Sequence, residues 1–230
     1  MTGREQVAYQ SVAASTTTLL MDRRWLSPKV FELELRRPPE LYLQAGHAIR
    51  LTHQAYQRYY SPISAPDDGR LRLCIRIINP QGLASYLSTA EIGSPIGICG
   101  PFGYFNFSPS SRPPVFIATD TGVAPFVSMV RSGVAGFTML QGARSKQELF
   151  YSDLFESHAR KYVPCICDTQ NKDIAQCDQY HQKLVDTLKE HVEPGRYDFY
   201  LCGWQKMIKS VINIVDTLYP HSHVYTEVFY

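Results

Sequence analysis

The period of the apolar residues changes near residue 110, so one regular architecture cannot serve the whole chain. Before that point apolar and polar residues alternate, as in Val30-Phe-Glu-Leu-Glu-Leu-Arg36, His47-Ala-Ile-Arg-Leu-Thr-His53 and Leu71-Arg-Leu-Cys-Ile-Arg-Ile-Ile78. Alternation in twos puts one face of an extended strand in a core and the other in water. Breakers at Pro38-Pro39, Ala45-Gly46, Pro66-Asp-Asp-Gly69 and Pro80-Gln-Gly82 separate these runs. Their spacing predicts a small closed barrel with one short helix starting near Leu83. After Ser108-Pro-Ser-Ser-Arg-Pro-Pro114 the apolar residues gather into short runs at 115–118, 137–140, 163–166, 199–202 and 224–228. Helical stretches lie between them at 125–131, 147–162, 179–191 and 205–218. Strand and helix in alternation predict a doubly wound parallel sheet. The expected fold has two domains: residues 1–110 as a six-stranded antiparallel β-barrel, and residues 111–230 as an α/β domain around a five-stranded parallel sheet.

Composition narrows the partners. Of 230 residues 44% are hydrophobic and 19% charged, with a net charge of +2, which excludes disorder driven by charge. It also gives no basic field for nucleic acid. Residues 1–110 carry 11 Lys and Arg against 8 Asp and Glu, and the remainder 12 against 13, so an acidic partner is expected on the barrel side. Six dispersed cysteines with no leader-like segment before them read as reduced thiols of a cytoplasmic protein. No apolar run approaches the roughly 20 residues of a membrane span. Fifteen Tyr and eleven Phe leave two readings open, core packing and stacking on a planar ligand.

Three segments carry chemistry. Arg58-Tyr-Tyr-Ser-Pro-Ile-Ser64 places a guanidinium, rings and hydroxyls at one strand end; the fork of donors suits phosphate and a ring suits a heterocycle. A tyrosine-rich edge strand is the plainer alternative. Gly82-Leu-Ala-Ser85 opens a short helix, whose free N–H groups favour phosphate, although such turns are common. Ala118-Thr-Asp-Thr-Gly-Val-Ala-Pro125 follows the first strand of the second half and enters a helix. An open α/β sheet binds a dinucleotide there, but this is not a GxGxxG turn.

In their order these motifs resemble the ferredoxin-NADP reductase superfamily, a flavin-binding barrel joined to a nicotinamide-binding α/β domain. The resemblance runs from about residue 7 to the C-terminus and includes Ala45-Gly-His-Ala-Ile49 and Gly100-Pro-Phe-Gly103. It implies FAD and NADPH or NADH as cofactors. Arg58, Tyr60, Ser61 and Ser64 match the family's Arg-x-Tyr-Ser-x-x-Ser, in which the arginine holds flavin phosphates, the tyrosine stacks on the isoalloxazine and the first serine sits near N5. Gly82 and Ser85 match a turn on the FAD pyrophosphate. Thr121, Gly122 and Pro125 match the loop facing the nicotinamide cofactor, and Cys202-Gly203 the segment whose thiol borders the nicotinamide. Glu227-Val-Phe229 matches the terminal Glu-x-aromatic, with Phe229 favoured over Tyr230 as the ring covering the flavin. Ser61, Cys202 and Glu227 are the implied catalytic residues.

Asp120 departs from the family, which has glycine there. A carboxylate beside a pyrophosphate repels it unless it turns away or pairs with a cation. Arg144 and Lys146, after the second strand of the α/β domain, are placed to read an adenosine 2′-phosphate, with a solvated basic turn as the alternative. Neither the spacing of an iron–sulfur domain nor that of a zinc ribbon is present, and His221-x-His223 reads as a polar turn rather than a metal site. The expected activity is reduction of a separate electron-carrier protein, such as a ferredoxin, a flavodoxin or an oxygenase component. The alternatives are a flavin reductase that releases reduced flavin and a regulatory flavin-binding subunit with weak nicotinamide binding.

Overall fold

The computed structural model describes residues 14–167 and 178–229. In the first half β1 Ala14–Ser27, β2 Val30–Arg36, β3 Ala48–His53, β4 Tyr56–Tyr60, β5 Arg70–Arg76 and β6 Pro95–Phe102 form one antiparallel sheet in the order β4-β3-β6-β1-β2-β5. The two edges meet beyond β4, where Pro62 bridges to Leu73 and the Ile63 N–H donates to the Arg72 carbonyl at 2.8 Å. The inward residues of the alternating runs, among them Leu33, Leu35, Ile49, Leu51, Leu71 and Leu73, fill the interior. Helix α1 Leu83–Thr89 adds Leu83 and Leu87 to that core.

In the second half β7 Pro114–Thr119, β8 Thr138–Ala143, β9 Lys161–Ile166, β10 Asp198–Trp204 and β11 His223–Phe229 form a parallel sheet in the order β11-β10-β7-β8-β9. Helices α2 Ala124–Arg131 and α3 Ser152–His158 cover one face, and α4 Asp178–His191 and α5 Gln205–Leu218 the other. Successive residues of β7 divide between the two cores. Phe116 and Ala118 pack with Phe126 and Phe155, whereas Val115 and Ile117 pack with Leu184, Leu188, Val211 and Val215. Burial on both faces is why these strands read as unbroken apolar runs.

The single helix expected over 147–162 is instead a 3-10 turn, Lys146–Glu148, followed by α3. Tyr151 breaks it with a left-handed backbone, φ +62°. That turn sends the Tyr151 hydroxyl to Glu32 Oε1 of the barrel, at 2.8 Å.

Strand order reverses beside β7, since the chain runs outward through β8 and β9 and then returns to place β10 on the opposite side. Such a reversal opens a crevice beyond the carboxyl ends of the two central strands, where open α/β sheets take ligands. The barrel is held against this side of the sheet. Ser128 Oγ donates to the Ser64 carbonyl at 2.7 Å, Arg131 to the Ile63 carbonyl at 2.6 Å, and Val30, Ile63 and Cys74 join the apolar cluster around Phe126. Among the described residues no helix is long and apolar enough to cross a membrane.

Candidate active site

A cavity of about 610 Å³ lies where the carboxyl ends of β7 and β10 meet the β4 edge of the barrel, a volume typical of small-molecule and cofactor pockets. Seven of the sequence-predicted residues line it. Arg58, Tyr60 and Ser61 come from β4 and the residue after it, Thr121 and Gly122 from the turn after β7, Gly203 from β10 and Glu227 from β11. Gly122 and Gly203 allow the two sheet ends to touch. A Cβ on Gly122 would fall 2.5 Å from the Cys202 carbonyl oxygen, and one on Gly203, at φ +140°, would overlap Thr119 Oγ1.

At the cavity floor Ser61 Oγ donates to Glu227 Oε2 at 2.9 Å, and the buried Cys202 thiol lies 3.9 Å from the same oxygen. Ser61 and Cys202, 166 and 25 residues away along the chain, thus converge on the Glu227 carboxylate. Burial pushes the Glu227 carboxyl up to about 7, against the opposing pull of the Ser61 and Cys202 hydrogen bonds. Burial and the neighbouring carboxylate also hold the Cys202 thiol well above its ordinary range, so it stays a neutral thiol rather than a thiolate.

Tyr60 brings its ring to the cavity, and its buried hydroxyl has no hydrogen-bond partner. Burial raises that hydroxyl to about 12. An orphaned donor on a cavity wall is costly to leave unpaired. It fits a bound planar ring system carrying acceptor atoms, as a flavin does, and Arg58 on the same strand adds a cation suited to phosphate.

Asp120 opens the 3-10 turn after β7 with a left-handed backbone, φ +57°. Its carboxylate accepts a 2.7 Å hydrogen bond from Nε of Arg76, the last residue of β5, and Arg76 Nη2 lies 3.3 Å from Glu148. Burial raises the Asp120 carboxyl, while the Arg76 charge opposes it. The departure at position 120 is therefore answered by a cation from the other half of the molecule.

Other predicted residues lie off the cavity wall. Cys202 is buried behind it, and Pro125 is buried in the first turn of α2, next to cavity-lining Ala124. Ser64 does not reach the cavity. Its hydroxyl accepts the Arg72 N–H at 3.2 Å and its carbonyl accepts Ser128, so it ties β5 to α2. Gly82 and Ser85 sit at the start of α1 and do not line the cavity. Arg144 and Lys146 follow β8 at the surface side of the same sheet end, also away from the cavity wall. Phe229 ends β11 beside Trp204, and Tyr230 lies outside the described residues. Sequence reasoning missed Arg76, Trp204 and Cys74, all of which line the cavity. In the structure the alternation of β5 ends with Cys74, Ile75 and Arg76 buried in succession, a change of burial that the residue types along the strand do not signal.

Comparison with known proteins agrees with this geometry. The oxidoreductase FAD-binding domain family matches residues 20–107 and the oxidoreductase NAD-binding domain family residues 116–213. The chain belongs to the ferredoxin-NADP reductase superfamily. Within it, the toluate 1,2-dioxygenase electron transfer component of Pseudomonas putida is 26% identical over 90% of this chain and 63% of its own length. Ferredoxin-NADP reductase B of Sorangium cellulosum is 34% identical over 60% of this chain and 62% of its own. The chain therefore spans less than two thirds of either relative. A solved ferredoxin-NADP reductase of Neisseria gonorrhoeae with bound FAD and NADP superposes with a TM-score of 0.77 over 94% of this chain and 99% of that one, at 18% identity. This superfamily member has the same two-sheet fold.

Proposed function

We propose that this chain binds FAD in the cavity, accepts reducing equivalents there from NADPH or NADH, and passes electrons to a separate one-electron carrier protein. The observation that carries the reading is the convergence of Ser61, Cys202 and Glu227 on one oxygen beside Tyr60, in a cavity bounded by both matched domains. In this reading residues 1–110 form the FAD-binding domain and residues 111–230 the NAD(P)-binding domain, working in the cytoplasm. A bound flavin would supply hydride acceptance from nicotinamide and release of electrons one at a time. The protein's part is to hold two flat ring systems in contact, exclude water and manage protons.

Each residue has a role in that task. Tyr60 offers its ring for stacking and its unpaired hydroxyl as a donor, and Arg58 holds phosphate. Thr121 and Gly122 shape the turn against which the nicotinamide dinucleotide rests, with Gly203 on the cavity wall and Cys202 buried behind it. Glu227 gains and loses a proton near neutrality at Oε2, and the Ser61 hydroxyl connects that oxygen to the cavity. Gly82, Ser85 and Ser64 act from the barrel side by shaping the segments around β4, and Arg144 and Lys146 take the adenosine end of the dinucleotide.

The deciding experiment is an anaerobic visible spectrum of the purified protein before and after NADPH and NADH are added separately. Flavin absorption that bleaches with one nucleotide, followed by reduction of an added ferredoxin, is the expected result. A colourless protein that turns over only with added free flavin would replace this reading with that of a flavin reductase.

A further inference from the structure

The loop that should face a dinucleotide diphosphate begins with an acid, and among the described residues the only cation bonded to that acid comes from the other sheet. Asp120 lies at the carboxyl end of β7, at the strand-order reversal, and lines the cavity. Glu148, on the 3-10 turn after β8, brings a second carboxylate to the same guanidinium at 3.3 Å. Two negative charges therefore share Arg76, whose side chain is only 7% exposed. An anion entering this crevice meets one unbalanced negative charge while Arg76 is present, and two once it is removed.

We infer that Arg76, carried by the barrel, is the counter-ion that lets the acidic Asp120 loop accept the diphosphate of a nicotinamide dinucleotide. It is thus a positioning residue for that ligand. The inference rests on the functional reading above and adds to it a residue of the barrel domain that governs affinity at the NAD(P)-binding domain. Neutralisation of the loop depends on docking of the two domains, because Arg76 and Asp120 belong to different sheets. An arginine contacting the ligand directly, or an ion pair acting only as a clasp, would respond differently to mutation. For an arginine that contacts the ligand, removing Asp120 as well cannot restore what loss of Arg76 takes away, whereas a mere clasp is told apart by Asp120→Gly alone, which would loosen the seam and weaken binding rather than tighten it.

The test is calorimetric titration of the flavin-loaded protein with NADP+ and with NAD+, a binding measurement independent of turnover. Arg76→Gln is expected to weaken the preferred nucleotide by about tenfold or more, as for an uncompensated buried charge beside an anion. The double variant Arg76→Gln with Asp120→Gly is expected to recover to within about threefold of wild type, and Asp120→Gly alone to bind about threefold more tightly. Arg76→Gln at wild-type affinity, or a double variant no better than Arg76→Gln, would overturn the inference. If Arg76→Gln shows no cooperative thermal transition, Asp120→Gly and Asp120→Asn decide it with Arg76 in place. Tighter binding supports the counter-ion role, and unchanged or weaker binding overturns it. A wild-type protein that holds flavin but binds neither nucleotide would overturn the functional reading and this inference together, whereas wild-type binding with an indifferent Arg76→Gln defeats the inference alone.

Discussion

Glu227 is the side chain whose chemistry departs furthest from its ordinary behaviour while staying within reach of neutral pH. Folded, it keeps its proton up to about pH 7, whereas its ordinary value is 4.5. Between those values the unfolded chain binds fewer protons than the folded one. Stability therefore falls as pH rises through that window, and the loss is complete above 7. The displacement corresponds to about 3 kcal/mol. Glu227→Gln keeps the shape and removes the titration, so its stability relative to wild type should rise between pH 5 and pH 8 when flavin-free protein is unfolded in urea. Parallel wild-type and variant profiles would show that Glu227 is already charged in the folded state. Glu227 and Ser61 were legible as a motif because short phrases preserve residue type, but the 2.9 Å bond between them was not. It joins positions 166 apart, and spacing along the chain carries no information about that contact. Arg76 was invisible for a different reason. In β5 it follows Arg70 and Arg72 on what reads as a solvent face, yet the far end of that strand runs beneath the α/β domain and the same face becomes interior.

At the scale of elements, the alternating strands and the buried parallel strands were readable because each carries its burial pattern within a few residues. The fourteen-residue β1 was not. Its Thr-Thr-Thr-Leu-Leu stretch lacks alternation, and its ladder with β2 shifts register between Leu20 and Asp22 and again between Trp25 and Ser27. Such irregularities let one strand pair first with β6 and then with β2, at the cost of the two-residue period that identifies a strand. Helix α2 shows how an element meant for one domain also serves the other. Its Ser128 hydroxyl, 3% exposed at the level of the residue, donates across the seam to the Ser64 carbonyl. Ser128→Ala would leave that carbonyl short of a partner in a dry interface and should cost about 1–2 kcal/mol. Chemical denaturation with an unchanged m-value would record it, and a loss below about 0.5 kcal/mol, within the range of ordinary surface substitutions, would show that the seam does not depend on this bond.

For the molecule as a whole, the change of period near residue 110 fixed two architectures, but it was silent on how they meet. A one-faced pattern describes burial within each sheet and cannot encode the second face that closes over the seam. Charge does carry some information at this scale. The barrel half holds three more basic than acidic residues and the α/β half one more acidic than basic. The active-site cavity opens between them, bounded by Tyr59 and Phe102 on the barrel side. With Arg76, Asp120 and Glu148 spent on one another in the seam, both halves carry a small excess of positive charge, and we expect the carrier protein that takes electrons there to be an acidic one. Fields between exposed charges decay over about 8 Å at physiological ionic strength, and steered association slows steeply as salt rises. With saturating nucleotide and an acidic ferredoxin as acceptor, the second-order rate of electron transfer should fall severalfold between low and physiological salt. Reduction of an uncharged quinone under the same conditions should hold steady, since it is not steered. A ferredoxin rate as indifferent to salt as the quinone rate would place the docking surface away from this excess of positive charge, and the carrier would then be recognised by shape and apolar contact at the cavity mouth.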